Sequence, residues 1–160
     1  MPRTVFLYAF LVTLLMTGCG SSSTPEPLNT PTAEPPVSNL PALDGEWTMK
    51  MMYSGGFMGL SRSIEISADG KFTVTDERLK KKVTGEFSAD ELSKINKQVS
   101  SSVYIPLTKP DGCADCFVYD LEIQGNGEKF TAQLNDVNLP ASGLEPLVTY
   151  LRGLIETALK

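Results

Sequence analysis

Phe117-Val118-Tyr119-Asp120-Leu121-Glu122-Ile123-Gln124-Gly125-Asn126-Gly127-Glu128-Lys129-Phe130-Thr131-Ala132-Gln133-Leu134 alternates apolar and polar residues on both sides of a Gly-Asn-Gly turn. Period-two alternation puts one set of side chains on a buried face and the other in water, as in antiparallel sheet. Asn-Gly between two such runs favours the positive φ angles of a tight hairpin. This segment therefore predicts two antiparallel strands with Phe117, Tyr119, Leu121, Ile123, Phe130, Ala132 and Leu134 facing a core.

Three earlier runs have the same period. Trp47, Met49, Met51 and Tyr53 alternate with Glu46, Thr48, Lys50 and Met52, Ile64 and Ile66 with Ser63, Glu65 and Ser67, and Phe72 and Val74 with Lys71, Thr73 and Thr75. Ala68-Asp69-Gly70 supplies a turn between the last two runs. Two segments change to helical spacing. Ser88-Ala89-Asp90-Glu91 has the form of a capping box, with Leu92, Ile95 and Val99 behind it. Ser142-Gly143-Leu144-Glu145 has the same form, and a stripe of Leu144, Leu147, Val148, Leu151, Leu154, Ile155 and Leu159 follows. The stripe's polar face carries few cations, so it is expected to cover the sheet rather than a membrane. The expected fold class is α+β, an antiparallel sheet of about five strands in βββαββα order packed against two helices.

The start of the chain is different. Val5–Met16 carries no charge, is too short to span a bilayer as a helix, and suits the apolar core of a secretory signal. It ends in Leu15-Met16-Thr17-Gly18-Cys19, which resembles the lipobox of bacterial lipoproteins. That resemblance implies a signal peptide over 1–18 and diacylation of the Cys19 thiol, with Met16 a mild departure from the usual Leu, Val or Ile. Residues 19–42 then read as the lipidated cysteine and a tether. Pro25, Pro27, Pro31, Pro35, Pro36 and Pro41 lie there among Ser, Thr and Asn, with too little apolar surface to offset ordering entropy. The folded domain is expected over 43–160. The protein would sit on the extracytoplasmic face of a cell membrane or outer membrane, and Gly20 in place of Asp after the cysteine leans toward the outer envelope in a cell with two membranes.

Composition narrows the chemistry. The 160 residues contain no histidine, which removes His-based triads, His zinc ligands and an imidazole switch. The net charge of −5 argues against a nucleic-acid-binding protein. A binding role, with no enzymatic activity and no cofactor, is the expectation.

Cys113-Ala114-Asp115-Cys116 could be a redox dithiol, half a zinc site or a short disulfide. A second pair of metal ligands is missing, and the motif leads into a strand rather than opening a helix. In an oxidising compartment the plain reading is a Cys113–Cys116 disulfide stiffening the loop from Pro110. Lys80-Lys81-Lys82, beside Asp76, Glu77 and Glu86, reads as a solvated turn. No carboxylate pair stands out, although folding could bring Glu86 near Asp120 or Asp136.

Ser54-Gly55-Gly56-Phe57-Met58-Gly59-Leu60-Ser61-Arg62 joins the first two strands with three glycines, where two residues would suffice for a hairpin. Glycine permits positive φ and close backbone approach. An apolar side chain between glycines can anchor a partner, or it can fold back and plug the end of the sheet. The loop's physics alone leans to the plug.

The string Ser54-Gly55-Gly56-Phe57-x-Gly59-x-x-Arg62 after a first strand resembles the signature of the emfourin family. The similarity continues through the helix Ser88–Ser102, Asp115-x-Phe117-x-Tyr119 opening a strand, Asn135-Asp136 before Leu139-Pro140, and a closing helix over Leu144–Leu159. It covers most of residues 46–159. Emfourins are small α+β inhibitors of protealysin and related thermolysin-like zinc metalloproteinases that occupy the active-site cleft. The resemblance implies a protease partner, with Ser54, Gly55, Gly56, Phe57, Met58, Gly59 and Arg62 as contact residues and Phe57 or Met58 in an apolar pocket. The lipobox, the tether, the hairpin at Ala68-Asp69-Gly70 and the cysteine pair depart from the family pattern. Leu43-Asp44-Gly45-Glu46-Trp47 also resembles the opening of lipocalin-like lipoproteins, which would imply a barrel holding a small apolar ligand. A structural envelope lipoprotein is a third expectation.

Overall fold

The computed structural model describes residues 38–107 and 113–160. The expected signal peptide over 1–18, the expected lipidation site Cys19 and the expected tether as far as residue 37 lie outside the described residues. In chain order the elements are β1 (Ser38–Asn39), β2 (Trp47–Gly55), β3 (Leu60–Ser67), β4 (Lys71–Asp76), β5 (Lys81–Glu86), α1 (Ala89–Ser101), β6 (Val103–Tyr104), β7 (Phe117–Gly125), β8 (Glu128–Asn135), a 3-10 turn (Leu139–Ala141) and α2 (Glu145–Leu159). The protein is α+β. A six-stranded antiparallel sheet runs in the order β5-β4-β3-β2-β7-β8, and β1 and β6 form a second, two-stranded sheet.

Alternation becomes burial strand by strand. Met49, Met51, Tyr53, Ile64, Ile66, Val74, Tyr119, Leu121, Ile123 and Leu134 are buried together with Ile95 and Val99 of α1 and Leu147, Val148, Leu151 and Ile155 of α2. Removing each such large apolar side chain from water is worth roughly 1.5–3 kcal/mol. α2 lies against β3, β4 and β5 and touches α1. Asn126 and Gly127 both have positive φ, so β7 and β8 are joined by a mirror-image two-residue turn that matches strand twist.

Four expectations are corrected. Lys80-Lys81-Lys82 is not simply a turn. Lys81 and Lys82 open β5, an edge strand whose single inward apolar residue, Val83, left almost no period to read. Lysines suit that place because charge discourages edge-to-edge pairing, and Lys81 Nζ donates to the Leu159 carbonyl at 2.6 Å. Ordered structure begins before Leu43, since Ser38 and Asn39 pair with Tyr104 and Val103 and Pro41 is buried. Ser142-Gly143-Leu144-Glu145 is not a capping box, because Leu144 stands at the N-cap position of α2 with no side-chain cap. Buried Ser142 instead donates to the Leu139 carbonyl and accepts from Leu144 N–H, closing the 3-10 turn. Finally, the sheet is open with β5 and β8 at its edges, rather than a closed lipocalin-like barrel.

Candidate functional site

Register gathers the loops that join particular strands at one end of the sheet. Gly55 pairs with Leu60 and Phe117, Val118 with Asn135, and Asp76 with Arg62 and Lys81. Turn 56–59, turn 77–80, the approach to β7 from Cys113 and the exit from β8 at Asp136 therefore share this end.

Turn 56–59 projects two apolar side chains into solvent: Phe57 is 93% exposed and Met58 62%. Phe57 does not plug the sheet. A carbonyl–amide bond from Gly56 O to Gly59 N (3.0 Å) closes the turn, and Gly56 N–H donates to Cys116 O across to β7 (3.3 Å). Gly55 and Gly56 have φ of 112° and 67°, and a Cβ on either would strike the Cys116 carbonyl or the Phe117 ring. The glycines thus serve close approach to the β7 entrance as well as turning the chain. Turn 77–80 exposes Leu79 (64%) and the β8 exit exposes Val137 (64%). Cys113 and Cys116 are disulfide-bonded with Cα atoms 5.5 Å apart, as the sequence suggested.

Beneath this end runs a polar row that crosses the core face. Arg62, Tyr53 and Tyr119 are successive cross-strand neighbours, and Asp76 adjoins Arg62. Arg62 Nε donates to Asp76 Oδ2 at 2.6 Å, and Arg62 Nη1 donates to Glu156 of α2 at 2.7 Å and to the Tyr53 hydroxyl at 3.2 Å. Tyr53 also donates to Glu156. Asp76, fully buried, accepts Leu79 N–H at 2.9 Å and so holds turn 77–80. On the other side, Tyr119 donates to Asp136 at 2.7 Å, Asp136 accepts Phe117 N–H at 2.8 Å, and Arg152 donates to the Tyr119 hydroxyl at 2.8 Å. The Arg152 guanidinium lies 5.3 Å from the ring centres of Tyr53 and Phe117 and 5.8 Å from that of Tyr119, a cation over aromatic faces.

The charges tune one another. Burial first, and then the Asp136 carboxylate, push the Tyr119 hydroxyl up to about 12, and burial and Glu156 raise Tyr53 as well. The Leu79 amide, with Arg62, holds Asp76 below the usual carboxylate range, while the Tyr53 hydroxyl and Arg62 do the same for Glu156. Among the described residues no buried side-chain polar atom lacks a hydrogen-bond partner.

Of the residues expected to touch a partner, Gly56, Phe57, Met58 and Gly59 form the exposed tip. Ser54 and Gly55 belong to the end of β2, in register with Ser61 and Leu60. Arg62 is turned inward and spent on Asp76 and Glu156. Asp76, Asp136, Arg152 and Glu156, which brace the loops, were not singled out as site residues. For Asp76 the signal was strand parity: it shares a face with Phe72 and Val74, as Arg62 does with Ile64 and Ile66. A charge on an apolar face requires a partner. Glu86, Asp120 and Asp136 do not meet. Glu86 is at the opposite end of the sheet from Asp136, and four strand spacings, about 19 Å, separate its strand from that of Asp120.

Among the described residues no cluster of His, Cys, Asp and Glu could hold a metal ion, and no helix is long and apolar enough to cross a membrane. Compared with known protein families and with curated proteins, the chain matches none. The fold and the loop end define a small α+β domain whose exposed apolar turn is tied by backbone hydrogen bonds to the β7 entrance, beside loops that core carboxylates hold.

Proposed function

We propose that this protein is a lipid-anchored extracytoplasmic binding module. The loop end of its sheet docks onto another protein, with a thermolysin-like metalloproteinase as the target class. Cys19 would carry the lipid, and the segment after it would hold the domain away from the membrane. The observation carrying the docking reading is Phe57, a large aromatic side chain 93% exposed on a turn whose backbone is tied to its neighbour. Isolated solvent exposure of an aromatic ring forgoes burial free energy that a partner's pocket would recover. A braced turn loses little conformational entropy when it binds. An inhibitor that fills a cleft needs no catalytic residue of its own, which accords with a chain that contains no histidine.

Titration of thermolysin and protealysin with the full chain in mild detergent tests this reading. Inhibition that Phe57→Ala weakens by about 2 kcal/mol, roughly thirty-fold, is the expected result. If neither enzyme loses activity nor forms a complex at micromolar concentrations, the inhibitor assignment fails. For the anchor, membrane fractionation of Cys19→Ala should release the chain from the membrane, and retention would contradict acylation there.

A further inference from the structure

The exposed apolar positions at the loop end are not confined to one turn. Leu79 lies on the turn between β4 and β5, Phe57 and Met58 between β2 and β3, and Val137 just beyond β8. In the order β5-β4-β3-β2-β7-β8, the Leu79 turn is two strand spacings from the Phe57 turn, and the β8 exit is two and a half spacings away on the other side. Phe57 and Met58 are thus central, with Leu79 about 10 Å to one side and Val137 about 12 Å to the other. Backbone bonds lace the row together, from Gly56 N–H to Cys116 O, from Glu77 N–H to Ser61 O and from Asp136 N–H to Phe117 O. Buried Asp76 holds one flank through Leu79 N–H, and exposed Asp136 holds the other through Phe117 N–H.

Charge along the row is polarised. Arg78, Lys80 and Lys82 lie about Leu79, all exposed, and outnumber the one exposed carboxylate of that turn, Glu77; among the described residues none of the three cations forms an ion pair. This cationic shoulder belongs to a chain whose net charge is −5. The opposite flank has exposed Asp115 and Asp136. An anionic lipid surface would attract one flank and repel the other, whereas a protein face can match both signs.

Building on the docking assignment above, we infer that the contact surface is this whole three-turn row. Its partner is a protein face with a central apolar pocket, carboxylates opposite Arg78, Lys80 and Lys82, and cationic or neutral polar groups opposite Asp115 and Asp136. Phe57 supplies affinity, and the unequal flanks fix the orientation in which it enters. Charged rims act mainly on association rate and register.

The test uses thermolysin and protealysin as probes and the full chain in mild detergent, with association rates read at about 20 mM and about 300 mM salt, where screening differs strongly. Lys80→Glu/Lys82→Glu should slow association about ten-fold or more at low salt and much less at high salt. Leu79→Ser should speed dissociation several-fold. All three positions are exposed, and unchanged thermal unfolding confirms that the variants fold. If Phe57→Ala abolishes binding while these variants bind as the parent does at both salt concentrations, the extended row is overturned and the single-turn docking assignment stands. If the parent binds neither enzyme, both fall. Phe57→Trp adds an environment probe: a blue shift with phosphatidylglycerol vesicles but none with either enzyme would assign the row to a membrane and overturn the inference.

Discussion

Arg62 places a permanent charge on the same strand face as Ile64 and Ile66, and the protein answers it with Asp76, Glu156 and the Tyr53 hydroxyl. Breaking a buried pair costs more than the pair is worth, because the surviving charge keeps its desolvation penalty. Asp76 is fully buried and Arg62 is partly buried, whereas Glu156 is half-exposed. Arg62→Met should therefore lower stability by about 3 kcal/mol in urea denaturation, and Glu156→Gln by much less. Arg62→Met/Asp76→Leu should recover part of the loss, since it removes both charges. A milder change at the same residue bears on docking in a way that separates the two roles. Arg62 does not reach the loop tip, so Arg62→Lys should alter partner affinity only as far as it loosens turn 77–80.

At the scale of elements, the two helices begin by different chemistry although their sequences look alike. Ser88 and Glu91 exchange hydrogen bonds in a full capping box, with Glu91 reaching Ser88 N–H at 2.8 Å. Ser142 serves the preceding 3-10 turn, and α2 starts at Glu145 without a cap. Glu91→Ala should cost about 1 kcal/mol in thermal or urea unfolding, while Glu145→Ala should fall within about 0.5 kcal/mol of the parent. Equal losses would restore the second capping box. This pair also indicates where reading the chain succeeded. Wherever a strand alternates strongly, as β2, β7 and β8 do, its inward set was legible residue by residue, because period two admits only one choice of face. The stripe of α2 was legible for the same reason at period 3.6. β5 was hidden because Lys81-Lys82-Val83-Thr84-Gly85-Glu86 lies at an edge and buries little, so it carries a weak pattern. The exposed turn at Phe57 could be located but not oriented, since the three glycines permit both inward and outward paths. Its outward course is decided by Gly56 bonding to Cys116, some sixty residues along the chain, a contact that no local pattern encodes.

For the whole molecule, the braces under the loop end set the pH range in which the domain is firm. Asp76 and Glu156 have lowered pKa values in the folded state, from 3.8 and 4.5 respectively. Their contribution is present above those ordinary values and is lost as pH falls through the lower folded ones, because the unfolded chain takes up protons first. Tyr119 runs in the other direction, from 10.0 to about 12. Its contribution is intact below pH 10 and disappears as pH rises toward 12, since the unfolded phenol ionises while the folded one still holds its proton. Stability should therefore be flat through neutral pH, decline below about pH 4 and decline again above pH 10. Urea midpoints across the pH range test both arms. Tyr119→Phe removes the late-ionising phenol, so absorbance titration at alkaline pH should lose its highest step, and the alkaline decline should become shallower. Persistence of that step would assign it to Tyr53 or Tyr150, whose hydroxyls are also raised by burial. Both arms act on residues that hold the loops. Exchange protection at Gly56, Phe117 and Leu79, taken relative to the intrinsic rate at each pH, should therefore fall at either extreme before the far edge of the sheet opens, and an equal fall throughout would show that the loop end has no stability of its own to lose.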